Sequence, residues 1–234
     1  WPSDLLFSGT TQGTVNIPAS LVGQPFGSVL GAALNTIDGF STTAYTTTSF
    51  SEPIDPATIT ASTVRVIELN MVAPNTPSST APVSRVLSFG TDFKAEVSPD
   101  LDSHGRILRI TPLKPFRYSK GAKGYGYLFV VTNGLRSTGG ESAVPDDLYA
   151  NSKAAPSCSL LPPGTAQGIC ALVKGQLALA GLVGINANDV VVSWSYTTQS
   201  VDDTFSALAA TVDPQAITAQ LVPGVKSPLG AADL

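Results

Sequence analysis

Period-two alternation, broken at short intervals by proline and glycine, constrains this fold more than any other feature. In DFKAEV, Phe93, Ala95 and Val97 fall on one face and Lys94 and Glu96 on the other, the side-chain period of a half-buried strand. AYTTTSFSEPID reads as an extended strand stopped by Pro53 and Pro56, and STVRVIELN is β-branched and strand-like. RILRITPLKP is a strand ended by prolines. In GYLFVVTNG, Leu128 and Val130 share one side while Tyr127, Phe129 and Val131 share the other. Apolar residues on both faces predict a central strand. VVVSWSYTTQS is the last strand, with Val190, Val192, Trp194 and Tyr196 on one face and Ser193, Ser195 and Thr197 on the other. A further short strand is expected around residues 14–17. The total, about seven or eight strands with frequent turns, predicts an all-β fold, an antiparallel sandwich.

The β pattern breaks in two places. Residues 147–188 are rich in Pro and Gly and then apolar, and GICALVKGQLALAGLVG reads as a helix ended at Gly184. A short helical insertion over about residues 165–185 therefore precedes the last strand. Between Ile169 and Val183 only Lys174 and Gln176 interrupt the apolar circumference, so this helix is buried or docks on a neighbour. It is too short to cross a bilayer. Near the C-terminus VDPQAITAQLVPG predicts another helix, with Asp213 as N-cap and Pro214 at the first helical position. The expected organisation is an extended N-terminal segment, 1–44, packed on the sandwich and holding one short helical turn. The sandwich follows over 45–200 with its insertion at 147–188, and then a helical linker over 201–234.

Charged residues make up only 13% of the chain, and the net charge of −4 argues against a nucleic-acid partner. No apolar run reaches the length of a membrane span. The chain opens on Trp1 with no signal peptide, which predicts a natural N-terminus removed by processing or by design. No cofactor is expected. Cys158 and Cys170 bracket CSLLPPGTAQGIC. Two cysteines are too few for a structural zinc site, and the spacing is not C-x-x-C. A disulfide and a pair of buried thiols both remain open, the disulfide stabilising by roughly 3 kcal/mol through loop closure.

The single histidine, His104, decides whether base catalysis is available. It stands in DSHG, a cluster of turn formers between two strands. A base needs a nucleophile in reach and a carboxylate to orient it. Asp100 and Asp102 are close, but no serine sits in a G-x-S-x-G elbow, and GFSTT at 39–43 lacks the closing glycine. His104 is read as a turn residue, and no catalytic residue is assigned. Asp100 and Asp102 with Gly105 resemble a fragment of a calcium loop without its bidentate acid. They are read as solvated turn acids, like the pairs Asp146–Asp147 and Asp202–Asp203, so no metal site is assigned.

KPFRYSKGAKGYGY sets Lys114, Arg117, Lys120 and Lys123 among Phe116, Tyr118, Tyr125 and Tyr127. Cations interleaved with aromatics can hold glycans, polyanions or lipid headgroups; the alternative is a hairpin with solvated lysines. Lys114, Arg117, Tyr118, Lys120, Lys123 and Tyr125 are the candidate surface-binding residues.

FSEPIDPATITASTVRVIEL (50–69), LRITPLKPF followed by YGYLFVVTNGLRSTGG, and WSYTT (194–198) resemble strands of bacterial Ig-like modules. PSDLLFSGTTQGTVNIP (2–18), ALNTIDGFSTTA (33–44) and VVVSWSYTTQSV (190–201), in that order, resemble the N-terminal domain of the bacterial virulence-factor extracellular lipases. Gln12-Gly13-Thr14 departs from the family's Asp-Gly-Thr. The resemblance implies an Ig-like sandwich preceding an α/β-hydrolase domain that carries lipase or lysophospholipase chemistry. It also implies a protein secreted or held at the outer-membrane surface of a Gram-negative bacterium. The family's catalytic residues have no counterpart here, and Leu234 falls where the family leads into its catalytic domain. The expected role is therefore non-catalytic support or positioning of that downstream domain, with a lipid or membrane surface as a further partner. The alternative is a cell-surface adhesion module for glycan or lipid headgroups.

Overall fold

A computed structural model of the chain describes residues 3–7, 14–17, 27–98, 100–102, 104–120, 124–202 and 206. The alternating segments form eight antiparallel strands in two sheets among these residues. β1 (Thr46–Ser49), β5 (Phe93–Val97) and β6 (Ile107–Pro112) make the smaller sheet, in the order β1-β6-β5. In the larger sheet β7 (Gly124–Thr132) lies between β2 (Val64–Ala73) and β8 (Val190–Thr197). Its two apolar faces had predicted that central place. β3 (Thr76–Pro77) and β4 (Val83–Val86), which the sequence pattern did not predict, both pair with β2.

The two sheets face each other across one core. Val64 and Val66 of β2, Phe129 and Val131 of β7, and Trp194 and Tyr196 of β8 meet Phe93, Leu108 and Ile110 of the smaller sheet. Phe129 stacks on Trp194 with ring centroids 5.2 Å apart. The indole Nε1 of Trp194 donates to Thr46 Oγ1 at 2.9 Å, which joins the sheets through a buried hydrogen bond. The opposite face of the larger sheet is also dry. There Ile67, Leu69, Leu128 and Val130 pack against two helices, α2 (Asp147–Ala154) and α3 (Thr165–Gly181), through Tyr149, Val173, Leu177 and Ala180. The molecule thus has sheet, sheet and helix layers.

α3 occupies the expected insertion, and Gly184 takes a positive φ of 78° at the exit where the chain turns toward β8. α2 is a helix that the Pro and Gly content of the region concealed. Its signal is Asp146, whose side chain accepts the Tyr149 N–H at 2.8 Å as an N-cap. A disulfide joins Cys158 to Cys170, with Cα atoms 5.6 Å apart, and ties the preceding loop to α3.

Three expectations need correction. Residues 14–17 form no strand: Val15 N–H bonds to Ile37 O, Asn16 N–H to Leu6 O and Ile17 N–H to the Asn35 side chain, so no continuous ladder is made. Val190 leaves the face of Trp194 and Tyr196 and joins the helix-side core, because the β7–β8 register shifts between Val131 and Thr132. The region before residue 44 holds more than one helical turn, with a 3-10 turn at Asp4–Phe7 and a helix α1 at Gly27–Leu34. The helix expected over 212–224, and most of the linker 201–234, lie outside the described residues.

The free edge of β8 is capped piecemeal. The Thr197 N–H donates to Asp4 Oδ1 at 2.7 Å, and Thr197 O accepts from Phe40 N–H. Lys153 of α2 donates to Val190 O at 2.8 Å. The Gln176 amide of α3, oriented with its oxygen toward β8's donor, accepts from Ser195 N–H at 3.1 Å and donates to Ser193 O at 3.0 Å. An amide in that position does for β8 what a neighbouring strand's peptide would do.

Candidate functional site

The cations of the 114–127 segment were the candidates for a surface site, and the structure gives each described one an acid of its own. β2 places Glu68 on the inner face with Val64 and Val66, where its side chain is fully buried. The Tyr127 hydroxyl, directly across the β2–β7 ladder, donates to Glu68 Oε2 at 2.9 Å, and Ser84 donates to Oε1 at 2.8 Å. Arg85 of β4 and Arg117 lie 3.3 Å away on either side. Burial pushes the Glu68 pKa up, but the Ser84, Tyr127 and Arg117 hydrogen bonds and the Arg85 charge outweigh it and hold the carboxyl below its ordinary value. The same burial and the Glu68 charge raise the Tyr127 phenol well above its ordinary range.

The network spreads from there. Arg117 stacks its guanidinium 4.1 Å from the centre of the Tyr125 ring, and its backbone N–H donates to the Tyr127 hydroxyl at 2.7 Å. Asp92 sits 3.5 Å from Lys114 and 3.8 Å from Arg85. Lys120 pairs with Asp202 at 3.0 Å, and Asp202 also accepts from the Tyr118 hydroxyl at 2.8 Å. Lys123 lies outside the described residues. Phe116 closes the interior side by stacking on Tyr127 at 3.9 Å. The segment therefore seals one end of the inter-sheet core with ion pairs and rings. Sequence reading identified the cations and missed Glu68. Its only signal was a charge on the same alternating face as two core valines.

His104 sits in the loop before β6, with its side chain 71% exposed. Its Nδ1 lies 2.9 Å from Asp102 Oδ1, which also accepts the His104 backbone N–H at 3.0 Å. Asp102 Oδ2 takes the Arg106 guanidinium at 3.1 Å, and that bond, first of several, holds the Asp102 carboxyl far below its ordinary range. Among the described residues no hydroxyl bonds to the imidazole. The arrangement is an Asx turn closed by a salt bridge. Asp100 is likewise engaged, 2.8 Å from Arg109. No group of three or more His, Cys, Asp or Glu side chains is gathered for a metal among the described residues. The Cys158–Cys170 disulfide leaves neither thiol free.

The profile of the bacterial virulence factor lipase N-terminal family matches residues 11–222. The chain belongs to that family. No curated protein matches the chain. Among solved structures, the S-layer protein rSbsC(31-844) shares 17% identity with a TM-score of 0.26, over 50% of this chain and 14% of that one. Domains 1-6 of the surface layer protein SbsC share 16% identity with a TM-score of 0.25, over 53% of this chain and 16% of that one. The chain thus corresponds to a small fraction of the length of those surface proteins. This chain has a β-rich body, an ion-paired seal at Glu68 and one exposed histidine. No helix of the described residues is long and apolar enough to cross a membrane.

Proposed function

We propose that this lipase N-terminal domain is a non-catalytic module that supports and positions a downstream α/β-hydrolase domain on a secreted protein. Family membership over residues 11–222 carries the reading. The surroundings of His104 support it: its side chain is 71% exposed and tied to Asp102 and Arg106, and among the described residues no hydroxyl bonds to it as a nucleophile would. In this module the facing sheets would act as an Ig-like sandwich, residues 1–44 would brace it, and 201–234 would lead on as a helical linker. Secretion is consistent with the disulfide between Cys158 and Cys170, since such bonds persist in oxidising compartments. The hydrolase would then act on lipid esters of the cell-surface environment.

The test compares three proteins: this chain, the hydrolase domain of its own gene, and the two joined. Medium-chain acyl esters and lysophospholipid serve as substrates. Activity confined to proteins with the hydrolase domain, with a higher soluble yield or melting temperature when the chain is attached, is the expected result. Ester hydrolysis by the chain alone that disappears in His104→Ala would overturn it. So would a hydrolase domain equally active and stable without the chain.

A further inference from the structure

Among the described residues, a cleft of about 380 Å3 opens between Thr48–Glu52, the loop 135–146 and Val191–Val192. Its lining reaches into the inter-sheet core. Ile54 and Leu135 are buried members of that core, and Phe50, Ala143 and Val192 pack against it. Val144 adds an apolar side chain that is 75% exposed. Covering such a lining with an apolar group removes it from water, which is favourable. The walls are tied to each other by main-chain bonds. The Asp55 N–H donates to Arg136 O and the Thr138 N–H to Pro53 O, each at 2.9 Å, and the Ala143 N–H donates to Leu135 O at 2.8 Å. The cleft is therefore formed before any ligand arrives, and its size suits one small molecule.

The charged groups at the cleft are unequal in sign. Glu52, Glu141 and Asp146 contribute carboxylates, and Arg136 is the one cation among the lining residues. The Arg136 guanidinium donates to Gly140 O at 2.9 Å. The Ser137 hydroxyl donates to the Glu141 carboxylate and holds that group below its ordinary pKa, so it is ionised at neutral pH. Asp146 is fixed by the Tyr149 N–H at 2.8 Å. Glu52 is exposed and in no ion pair among the described residues, so its charge is available to a ligand. We propose that the cleft binds a small organic cation, a primary ammonium group on an apolar body, with the body against Ile54, Leu135 and Val192 and the ammonium beside Glu52. The apolar wall supplies the affinity. The excess of carboxylates selects an ammonium over a neutral or anionic group of the same shape. This inference stands apart from the lipase reading, since it requires only the cleft and its charges.

The full chain, labelled with nitrogen-15, is titrated by NMR at neutral pH with three probes of similar shape: phenylbutylamine, phenylbutanol and phenylbutyrate. Phenylbutylamine shifts the amides of Glu52, Leu135 and Val192 and binds about tenfold more tightly than phenylbutanol, with phenylbutyrate weaker still. Ser51→Trp sets a large side chain at an exposed position of the cleft wall and abolishes those shifts. Glu52→Lys, also at an exposed position, brings phenylbutylamine down to the affinity of phenylbutanol. That second variant decides the matter if Ser51→Trp fails to fold. Absence of shifts with phenylbutylamine at millimolar concentration overturns the proposal. Equal binding of the three probes, shifts mapping to another surface, shifts retained in a folded Ser51→Trp, or an unchanged preference in Glu52→Lys overturns it as well.

Discussion

Glu68 and Asp4 are both buried acids, and they act in opposite directions. Glu68 is surrounded by donors and two guanidinium groups, so its ionised form is the one the fold holds. Glu68→Ala would leave the Tyr127 and Ser84 hydroxyls without their acceptor and Arg85 and Arg117 without their shared anion. Loss of one partner from a buried ionic cluster costs about 3 kcal/mol, and thermal or urea unfolding of the variant reads it directly. Asp4 has only the Thr197 N–H and nearby hydroxyls against complete burial, and its pKa is raised to about 6. Its folded pKa exceeds the unfolded value of 3.8, so its stabilising contribution is complete below the unfolded value and is lost as pH rises through about 6. Asp4→Asn keeps an acceptor for Thr197 without the charge. Between about pH 4 and pH 7 this variant gains up to roughly 3 kcal/mol relative to the parent chain, and paired urea melts at the two pH values check it.

The edge of β8 and the loop before α3 are the elements that single side chains hold in place. Gln176 supplies both hydrogen bonds that a further strand would make at Ser193 and Ser195. Gln176→Leu fits the apolar α3–β8 interface in volume but strands a backbone donor and acceptor. A loss of about 2 kcal/mol is expected, with faster amide exchange at Ser195 than at Trp194, whose N–H faces β7. The Cys158–Cys170 bond closes a loop with a sequence separation of 12. Replacing both cysteines by serine costs roughly 3 kcal/mol in the chain-entropy account. Circular dichroism of that variant should retain the α3 helical signal, because Val173, Leu177 and Ala180 still pack on the sheet.

For the molecule as a whole, the carboxylates set a window of stability. Glu68, Asp92 and Glu96 all have lowered pKa values, so their contributions are present above the ordinary carboxylate range and are lost as pH falls through the folded values. Asp4 loses its contribution in the other direction, through about 6. Melting temperature measured against pH should therefore peak at about pH 4 to 5, fall on the acid side, and decline on the other side to a lower level reached above about pH 6. Asp4→Asn should extend the plateau upward without moving the acid limb. A profile with no decline between about pH 4 and pH 6 in the parent chain would show that Asp4 is hydrated rather than buried.

Alternation and punctuation were enough to predict most of the strands, the central position of β7 and the insertion of α3. Each depends on neighbours a few residues apart: Phe93 with Ala95 and Val97, or Leu128 with Val130. The same local reading predicted a strand at residues 14–17 and assigned Val190 to the wrong face, because hydrogen-bond partners and a register shift are not encoded in spacing. Among the candidate site residues, the cations and rings of 114–125 were visible, but their partners were not. Glu68 lies 49 residues from Arg117, and Asp202 lies 82 from Lys120. Such pairings turn a basic-looking stretch into a seal, and they exist only once β2, β4 and β8 have come together. Burial of Asp4 has the same origin. Periodicity along a chain records which side of an element is dry, whereas charge pairing and edge exposure follow from which elements become neighbours.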